Sequence, residues 1–521
     1  MALNRLVFNN FETLNTGYPT EIPDDHLSDA LNMVRRKDGL WENRKGITQF
    51  GADVGSGEPI HSLRFWKTAA GGRFLTVGTD TDIYSYTEGT PFNEGTYTNR
   101  QSVTDTGPWD SIVYRDILVL ANGVDDMRSS TDNVTFTQRA QQAGPPPIVR
   151  PKYLEVGNDF VSFAGHASAQ DQILLSSGAP ANPWEGNASN VANIDIGNSE
   201  EITGIKALGQ VLVVTKTTRT YTVALSDFSR ETLDWGGGTE SNRSILQTQK
   251  NSLFLASRQG IFDISKQNIG DNQLFGQPES DPVKTLYDLT DDHTTINGLY
   301  TQKENHAMWN LSTSLGRLTL IRHLDFRKSV WSYFKGINAL DWTTYEDSEG
   351  ELHYLYGDAG SDKVWELFAG RNDNGAPILS RISGKRTDFG LPGRRKRIRY
   401  IDFYGYISKN AKWNVEIYKD DNNTTPAKSL TIDFTRHSPE TSLGGLGTSP
   451  LGTVPLGGKL DEATGDIPVY PFKARLPLDE DYEKLQWALW NNQADAKVVL
   501  RTIVVYTDTQ ALDLFDNNNI L

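Results

Sequence analysis

The side chains that could do acid–base or metal chemistry in this 521-residue chain are its histidines and the carboxylates at its turns. No two histidines stand at metal-ligand spacing, and the sequence contains no His-Glu-x-x-His segment. It contains no cysteine either, which excludes disulfides, thiolate metal sites and cysteine nucleophiles. Gly-x-Ser-x-Gly, Walker and dinucleotide-binding motifs are also missing. We therefore expect neither a metal nor any other cofactor. The histidines are His26, His61, His166, His293, His306, His323, His353 and His437.

The sharpest charge feature is a cationic run near residue 395. It reverses the sign of the charge locally in a chain whose net charge is −15. Such a run can contact phosphate or an acidic neighbouring subunit. It can also be a solvated turn and strand whose cations pair with nearby carboxylates. Both interpretations are open, and of the functional ones we favour a subunit contact. The run consists of Arg394, Arg395, Lys396, Arg397 and Arg399.

Composition narrows the class of protein. Hydrophobic residues make up 37% of the chain and charged residues 22%, which is typical of a globular protein. No stretch approaches the roughly 18 apolar residues of a transmembrane helix, so we expect no membrane span. The net negative charge argues against tight nonspecific wrapping of nucleic acid, which needs many cations. The lack of cysteine fits a protein made in a reducing cytoplasm, and equally a particle that later leaves the cell.

The elements that must position these groups are short strands. From about residue 59 to 370, runs of aromatic and β-branched residues alternate with Gly, Asn, Asp, Thr and Pro. Most units pair an apolar run with an alternating one, as in 211–214 followed by 220–223. Units of roughly 40–50 residues with about four strands are typical of propeller blades. We predict an all-β fold built on a β-propeller of about six or seven blades; two stacked β-sandwiches are the alternative.

The flanking segments predict two further parts. Residues 1–50 form an N-terminal arm, with a helical turn at 23–32 and a hairpin at Asp38-Gly39. Residues 51–375 form the propeller, and 376–521 a smaller β-sandwich-like domain with a mobile glycine-rich loop at 441–458. The arm residues expected to pair elsewhere in an assembly are Leu3, Leu6, Val7 and Phe8. The loop residues expected to line a channel or contact a partner are Leu443, Leu446, Leu451, Val454 and Leu456.

Several segments, in a common order, resemble the tail nozzle or hub proteins of short-tailed bacteriophages. The arm resembles the opening of those proteins, and later segments resemble a strand that ends in Asn-Gly, a Ser–Pro–Trp segment, the last blades and the entry to the distal β domain. The resemblance covers most of the chain, although the basic run and the glycine-rich loop do not map onto it. The matching segments are 29–46, 116–125, 175–184, Asp325 with Trp331-Ser332, Gly357-Asp358 with Val364-Trp365, and 387–390.

This resemblance implies a ring of six identical chains below the portal and its adaptor. Such a ring continues the DNA channel, helps to retain packaged DNA and docks tail fibres or spikes. We therefore expect a non-enzymatic structural protein of the virion tail, made in the bacterial host cytoplasm. Its expected partners are further copies of itself, the tail adaptor or portal complex, tail fibre or spike proteins, and viral double-stranded DNA in transit.

Two other functions remain open. A propeller can be a glycan- or protein-binding module, for which aromatic side chains would cluster on one face. It can also be a glycosidase, which needs paired carboxylates, although acidic residues at turns usually accept backbone N–H groups. The turn carboxylates considered for this role are Asp110, Asp116, Asp125, Asp126, Asp325, Asp341 and Asp358.

Overall fold

The computed structural model describes most of the chain as β-structure in two compact units. The propeller unit is Thr48–Leu324 with Lys335–Leu367, and the sandwich unit is Met1–Ile47 with Asp325–Phe334 and Phe368–Leu521. Two of these borders lie near the divisions at 50 and 375 that we predicted. The one α-helix in the described residues is a single turn, so none there is long and apolar enough to cross a bilayer. The structure describes residues 3–9, 11–17, 22–104, 107–139, 150–166, 169–176, 186–197, 200–233, 237–249, 252–264, 278–326, 328–389, 393–409, 411–422, 424–433 and 469–508.

The strands are short up to residue 384. Ahead of the propeller stand β1 (Leu3–Asn9), β2 (Leu27–Leu31), β3 (Met33–Arg35), β4 (Trp41–Asn43) and β5 (Ile47–Gln49). The first four blades contain β6 (Ser62–Lys67), β7 (Arg73–Gly78), β8 (Asp82–Thr87), β9 (Thr96–Ser102), β10 (Asp110–Tyr114), β11 (Ile117–Ala121), β12 (Met127–Ser130), β13 (Thr137–Arg139), β14 (Tyr153–Gly157), β15 (Phe160–Ala164), β16 (Gln172–Ser176), β17 (Gly186–Asn193), β18 (Gly204–Leu208), β19 (Val211–Thr215), β20 (Thr220–Ala224) and β21 (Arg230–Leu233).

The second half of the chain ends in longer strands. It continues with β22 (Leu246–Gln247), β23 (Leu253–Ser257), β24 (Gly260–Asp263), helix α1 (Lys284–Tyr287), β25 (Asn297–Thr301), β26 (His306–Leu311), β27 (Leu318–His323), β28 (Val330–Lys335), β29 (Ala339–Glu346), β30 (Leu352–Asp358) and β31 (Val364–Leu367). The last strands are β32 (Ile378–Gly384), β33 (Lys396–Ser408), β34 (Lys412–Lys419), β35 (Lys428–Asp433), β36 (Val469–Tyr482), β37 (Leu485–Gln493) and β38 (Val498–Asp508).

Seven antiparallel sheets follow one another in the described part of the propeller unit. They are β6–β9, β10–β13, β14–β17, β18–β21, β22–β24, β25–β27, and β29–β31 joined by β5. The first strand of each sheet lies innermost and contacts the inner region of the next blade, and β29 returns to contact β6. The unit is therefore a closed, seven-bladed β-propeller, which confirms the all-β propeller prediction.

The seventh blade closes the ring with a strand from the other end of the propeller sequence. β5 precedes the first blade, yet it lies beside β31 in the last one. Directly after β5, the Phe50 N–H donates to the Val364 carbonyl at 2.8 Å, and the Val54 N–H donates to Asp362 at 3.0 Å. Pairing the two ends of a ring in one sheet removes the free edges at which it could open.

Side chains from adjacent blades pack together to form the propeller core. Leu212, Val213 and Val214 are fully buried, as their uninterrupted apolar run predicts. Next to the closing strand, the Phe50 ring lies 4.9 Å from that of Tyr86 and 5.2 Å from that of Tyr345. This aromatic cluster joins the first and last blades.

The sandwich unit consists of two sheets. One has the order β28-β2-β32-β37-β34-β35, and the other has the order β3-β4-β38-β33-β36, with β1 also paired to β38. Trp413 of the first sheet and Phe472 of the second meet edge to face at 6.0 Å. This confirms the predicted sandwich-like C-terminal part. The segment from residue 3 to 43 contributes β1 to β4 to these same two sheets.

The predicted helical turn at 23–32 is wrong, whereas the hairpin beside it is confirmed. Leu27–Leu31 is a strand that pairs antiparallel with β32 and parallel with β28. These partners lie more than 300 residues away in sequence, and their pairing overrides the local preference for a helical turn. The hairpin joins β3 to β4, with Gly39 in the left-handed region that its turn requires, at a φ of 84°.

The aromatic cluster yields a stability prediction. Phe50→Ala should lower the free energy of unfolding by about 3–5 kcal/mol, because it empties a fully buried site next to the closing strand. Urea unfolding followed by tryptophan fluorescence measures this. The matched control is Leu315→Ala, whose side chain is 73% exposed and which should change the value by less than about 0.5 kcal/mol. Equal effects of the two substitutions would contradict the packing argument.

Candidate binding site at the propeller axis

A cavity of about 580 Å³ lies at the end of the propeller axis where the inner strands begin. We call it the axial recess. Each blade places residues there at, or just before, the start of its first strand, since all seven inner strands run in the same direction from that end. The recess therefore collects polar side chains that are far apart in sequence. One contributor from each blade is His61, Asp110, Lys152, Thr203, Asn242, Thr294 and Leu340.

Below the recess, side chains of one blade bond to the backbone of the next. Trp109 donates its N–H to the Ser62 hydroxyl at 2.8 Å, and that hydroxyl donates to the Trp109 carbonyl at 3.2 Å. The Leu154 N–H donates to Asp110 Oδ2 at 2.9 Å. The Ile205 N–H donates to Asn242 Oδ1 at 3.0 Å. These bonds satisfy inner-edge backbone groups that no strand pairs.

The same kind of bond continues through the remaining blades. The Ser241 hydroxyl donates to the Ile296 carbonyl at 2.6 Å, and Asn297 Nδ2 donates to the Ala339 carbonyl at 3.2 Å. The Leu63 N–H donates to Asp341 Oδ2 at 2.7 Å, which links the seventh blade to the first. Blades three and four are joined instead by an ion pair, Lys206 Nζ to Glu155 Oε2, at 2.9 Å. Together these contacts form a belt around the axis, which we call the inter-blade belt.

Arg243 lies across this belt on the short 3-10 turn Asn242–Ser244. Its Nη1 donates to the carbonyls of His61 at 2.7 Å and Leu340 at 3.3 Å. Its Nη2 donates to the Trp109 carbonyl at 3.0 Å and to the Ser62 hydroxyl at 3.2 Å. One guanidinium thus connects the fifth blade to the first, second and seventh, and it forms part of the floor of the recess.

The two carboxylates in the belt were among the turn residues considered for glycosidase chemistry. Burial raises the pKa of Asp110 and that of Asp341 above the ordinary aspartate value. Raised carboxyl pKa values also occur in catalytic sites. Here, however, each carboxylate uses one oxygen to accept a backbone N–H from the next blade. Asp110 Oδ2 also accepts from Asn242 Nδ2 at 3.0 Å.

The rim of the recess carries charges of a different kind. Lys152 and Glu201 are exposed, and neither lies within ion-pairing distance of an opposite charge in the described ranges. The Lys152 ammonium lies 5.4 Å from the centre of the Tyr153 ring. The other two rim charges, Arg258 and Glu240, pair with each other. The recess therefore has a rigid, bonded floor and two opposite charges at its rim that a ligand could pair with.

The basic run predicted to contact phosphate or a subunit begins just before β33. Cations of the run make contacts within the chain, Arg394 among them. Arg397 Nε lies 3.1 Å from Asp479, Arg399 Nη2 lies 2.9 Å from Asp508, and Lys396 Nζ donates to the Glu483 carbonyl at 3.0 Å. Arg394 and Arg395 are exposed. The intersubunit role of the run stays a prediction.

The predicted assembly arm corresponds to β1, which pairs antiparallel with β38 of the same chain. Val7 is 43% exposed, while Leu6 and Phe8 are half-buried. Since β38 also pairs with β33, the structure brings the arm and the basic run into one sheet. The loop residues Leu443, Leu446, Leu451, Val454 and Leu456 lie outside the described residues.

The other turn carboxylates also have partners within the chain. The Ala69 N–H donates to Asp116 at 2.8 Å, and the Asp125 carboxylate accepts from Asn122 at 3.2 Å. Asp126 pairs with Arg150 at 3.2 Å. Asp358 accepts from Asn338 at 3.0 Å, and Asp325 lies 3.9 Å from Lys37.

One group of possible metal ligands occurs in the described residues. Ligand atoms of Glu12, Asp25 and His26 lie within 4.8 Å of one another. The Lys328 ammonium already lies 2.7 Å from Glu12 Oε2, so a cation occupies this carboxylate.

Sequence reasoning missed Arg243, Asn242 and Lys152. The stretch from 239 to 243 is polar and aperiodic, and nothing in it marks an arginine that crosses the axis. Lys152 gave no signal because its significance depends on which residues surround it. Of the residues in the inter-blade belt, Asp110 and Asp341 were predicted as candidates, because they are acidic residues at predicted turns.

The belt predicts a specific role for the arginine fork. Arg243→Lys should lower the free energy of unfolding by about 2–3 kcal/mol, because an ammonium cannot reach the backbone groups of three blades at once. Chemical denaturation measures the loss. Arg258→Lys is the matched control, since its side chain is 70% exposed and pairs with Glu240; it should cost less than about 0.5 kcal/mol. If both variants were as stable as the parent, Arg243 would not hold the blades together.

Comparison with known proteins gives similarity at the level of fold only. No family model matches the chain, and no curated protein matches it. Among solved structures, it is similar to the Neurospora crassa Pan2 WD40 domain, with 10% identity over 62% of this chain and 96% of that one and a TM-score of 0.39. The WD40 β-propeller domain of Doa1 gives 9% identity over the same shares, with a TM-score of 0.39. The computationally designed Ika8 protein gives 11% identity over 61% of this chain and 99% of that one, with a TM-score of 0.36. The propeller assignment therefore depends on the sheet topology described above.

Proposed function

We propose that this chain is a non-enzymatic β-propeller binding module whose axial recess receives a charged segment of a partner protein. The observation that carries the proposal is a pair of opposite charges, Lys152 and Glu201, that lack an ion-pair partner in the described ranges and lie at the rim of a cavity of about 580 Å³. Lys152 lies just before the first strand of the third blade, and Glu201 lies just before that of the fourth.

The floor of the recess supports binding because it is rigid before a ligand arrives. Arg243 and Asp110 are held by bonds to several blades, so a ligand would not have to order them. The polar groups of Thr203, Asn242 and Thr294 are likewise held within the chain, by bonds to the Thr239 carbonyl, Asp110 and Asp292. A peptide carrying one acidic and one basic side chain matches this arrangement.

A peptide array tests this proposal. The probes are Gly-Ser peptides with one Asp and one Lys separated by one to four residues, with binding to the full chain measured by fluorescence anisotropy. We expect one spacing to bind best. Lys152→Glu should weaken that peptide at least tenfold, whereas a version carrying Lys in place of its Asp should bind the variant better than it binds the parent.

The matched control is Lys303→Glu, which changes an exposed lysine paired with Glu351 outside the recess. It should leave peptide binding unchanged. Equal binding at every spacing, or equal losses in the two variants, would reject the recess as the binding site.

A second candidate is the tail ring that the sequence resemblance implies. What favours it is an open strand edge: in the part of the chain that the structure describes, β1 pairs only with β38, so its other edge can accept a strand of another chain. The exposed Arg394 and Arg395 lie near the start of β33 in that sheet. Because Arg243 crosses the propeller axis, DNA would have to pass through a ring of several chains rather than through one propeller.

Mass photometry separates the two candidates. A tail ring should give particles of six chains of 58.0 kDa each, alone or on a portal–adaptor complex. Arg394→Glu with Arg395→Glu should then shift the particles toward monomer, whereas the exposed Lys37→Glu should not. A monomer that ignores the portal–adaptor complex would reject the ring.

A further inference from the structure

The outward face of the second sandwich sheet combines tyrosine rings with cations. Three rows of directly paired residues cross it. Paired residues share a face, so each row points to the same side of the sheet. We call this surface the tyrosine–cation face. Its rows are Arg5–Tyr506–Tyr400–Pro477, Val7–Val504–Asp402–Arg475 and Asn9–Thr502–Tyr404–Lys473.

The opposite side of the sheet faces the core of the sandwich unit. Ile401, Phe403 and Ile503 alternate with the rows and are fully buried. Phe472, which pairs with Gly405, contacts Trp413 of the other sheet. The tyrosine–cation face is therefore the outer one, and its Lys473 and Arg475 side chains are 50% and 48% exposed.

The Asp402 carboxylate holds the two cations of this face in position. It is fully buried, and its two oxygens accept from Arg475 Nε at 2.7 Å and Arg475 Nη2 at 2.8 Å. Lys473 Nζ lies 3.2 Å from Asp402 Oδ2. The Arg475 guanidinium also stacks 3.8 Å from the centre of the Tyr400 ring. Both cations are thus fixed in place, and the donors of Arg475 that do not reach Asp402 remain for a ligand.

We propose that the tyrosine–cation face is a binding site for an acidic polysaccharide, in which a sugar carboxylate pairs with Arg475 and Lys473 while neighbouring sugar rings lie against Tyr404 and Tyr506. This site is in the sandwich unit and does not depend on the axial recess.

Charge complementarity sets the class of ligand. Arg475 and Lys473 share one carboxylate, so the centre of the face carries a single net positive charge. Three tyrosine rings surround it, two of them, Tyr400 and Tyr506, only 4.3 Å apart. A polymer with isolated carboxylates between uncharged rings fits one cation centre among aromatic rings.

Single-stranded nucleic acid fits less well. It carries a phosphate at every nucleotide, and proteins that bind it follow its backbone with a continuous cationic groove. Here the net charge of the chain is −15, and the cations at the centre of the face are already shared with Asp402. A ligand with a high density of negative charge would therefore be attracted by the one cationic centre and repelled by the net negative charge of the chain.

The test uses hyaluronan octasaccharide, whose carboxylates alternate with neutral sugars, and its carboxyl-reduced form. Isothermal titration of the full chain should detect hyaluronan and give at least tenfold weaker binding for the reduced form. Arg475→Gln should weaken hyaluronan binding at least tenfold, and Tyr506→Leu about fivefold. Arg397→Gln is the matched control: Arg397 lies in the same sheet, on β33, but pairs with Asp479, and its loss should leave affinity unchanged.

Further controls separate loss of the site from loss of the fold. Thermal melts of the variants check folding, and Tyr506→Leu tests the face without disturbing the bonds of Asp402. Lys152→Glu should retain full hyaluronan binding, so failure of the axial recess would leave this site intact. Equal binding of the carboxyl-reduced sugar, or tighter binding of oligo-dT or poly-glutamate, would overturn the proposal.

Discussion

The propeller depends on satisfying the inner edges of its seven first strands. Each of these strands pairs with its own sheet on one side only, so backbone N–H and C=O groups on the other side face the axis. Side chains from the neighbouring blade bond to them, as Asp341 does for Leu63 and Asp110 for Leu154. The same bonds therefore satisfy the inner backbone groups and join the blades. Because polar side chains make these bonds, the region around the axis is polar.

This belt also decides what the axis can do. The carboxylates that could have suggested hydrolysis are tied to backbone groups, and Arg243 is tied to the carbonyls of three other blades. The charges left for a ligand are displaced to the rim, where Lys152 and Glu201 lie in the described recess. In the proposed binding module, a ligand could pair with Lys152 and Glu201 while the bonds that hold the blades stay intact.

In the sandwich unit a buried carboxylate plays the corresponding part. Asp402 would be costly to bury alone, so it holds Arg475 and Lys473 against it. Both cations come from the neighbouring strand β36. The register of β36 with β33 places Arg475 opposite Asp402 and Lys473 opposite Tyr404, so both side chains lie on the same face of the sheet as Asp402. The same sheet receives β1 from the other end of the chain. Among the described strands, a single sheet thus combines an unpaired edge of β1 with an ordered, cationic and aromatic outer face.

The amino-acid sequence by itself determined the class of fold and most strands, because alternating burial and turn residues are local signals that hold wherever the strand lies. It also placed the hairpin at Asp38-Gly39. Tertiary structure alone decided that 27–31 is a strand rather than a helical turn, that Arg243 crosses the axis, and that Arg475 lies on Asp402. Each of these depends on partners tens to hundreds of residues away. The physical reason is that strand register and blade order determine which groups surround a polar side chain. Local sequence patterns do not encode either of them.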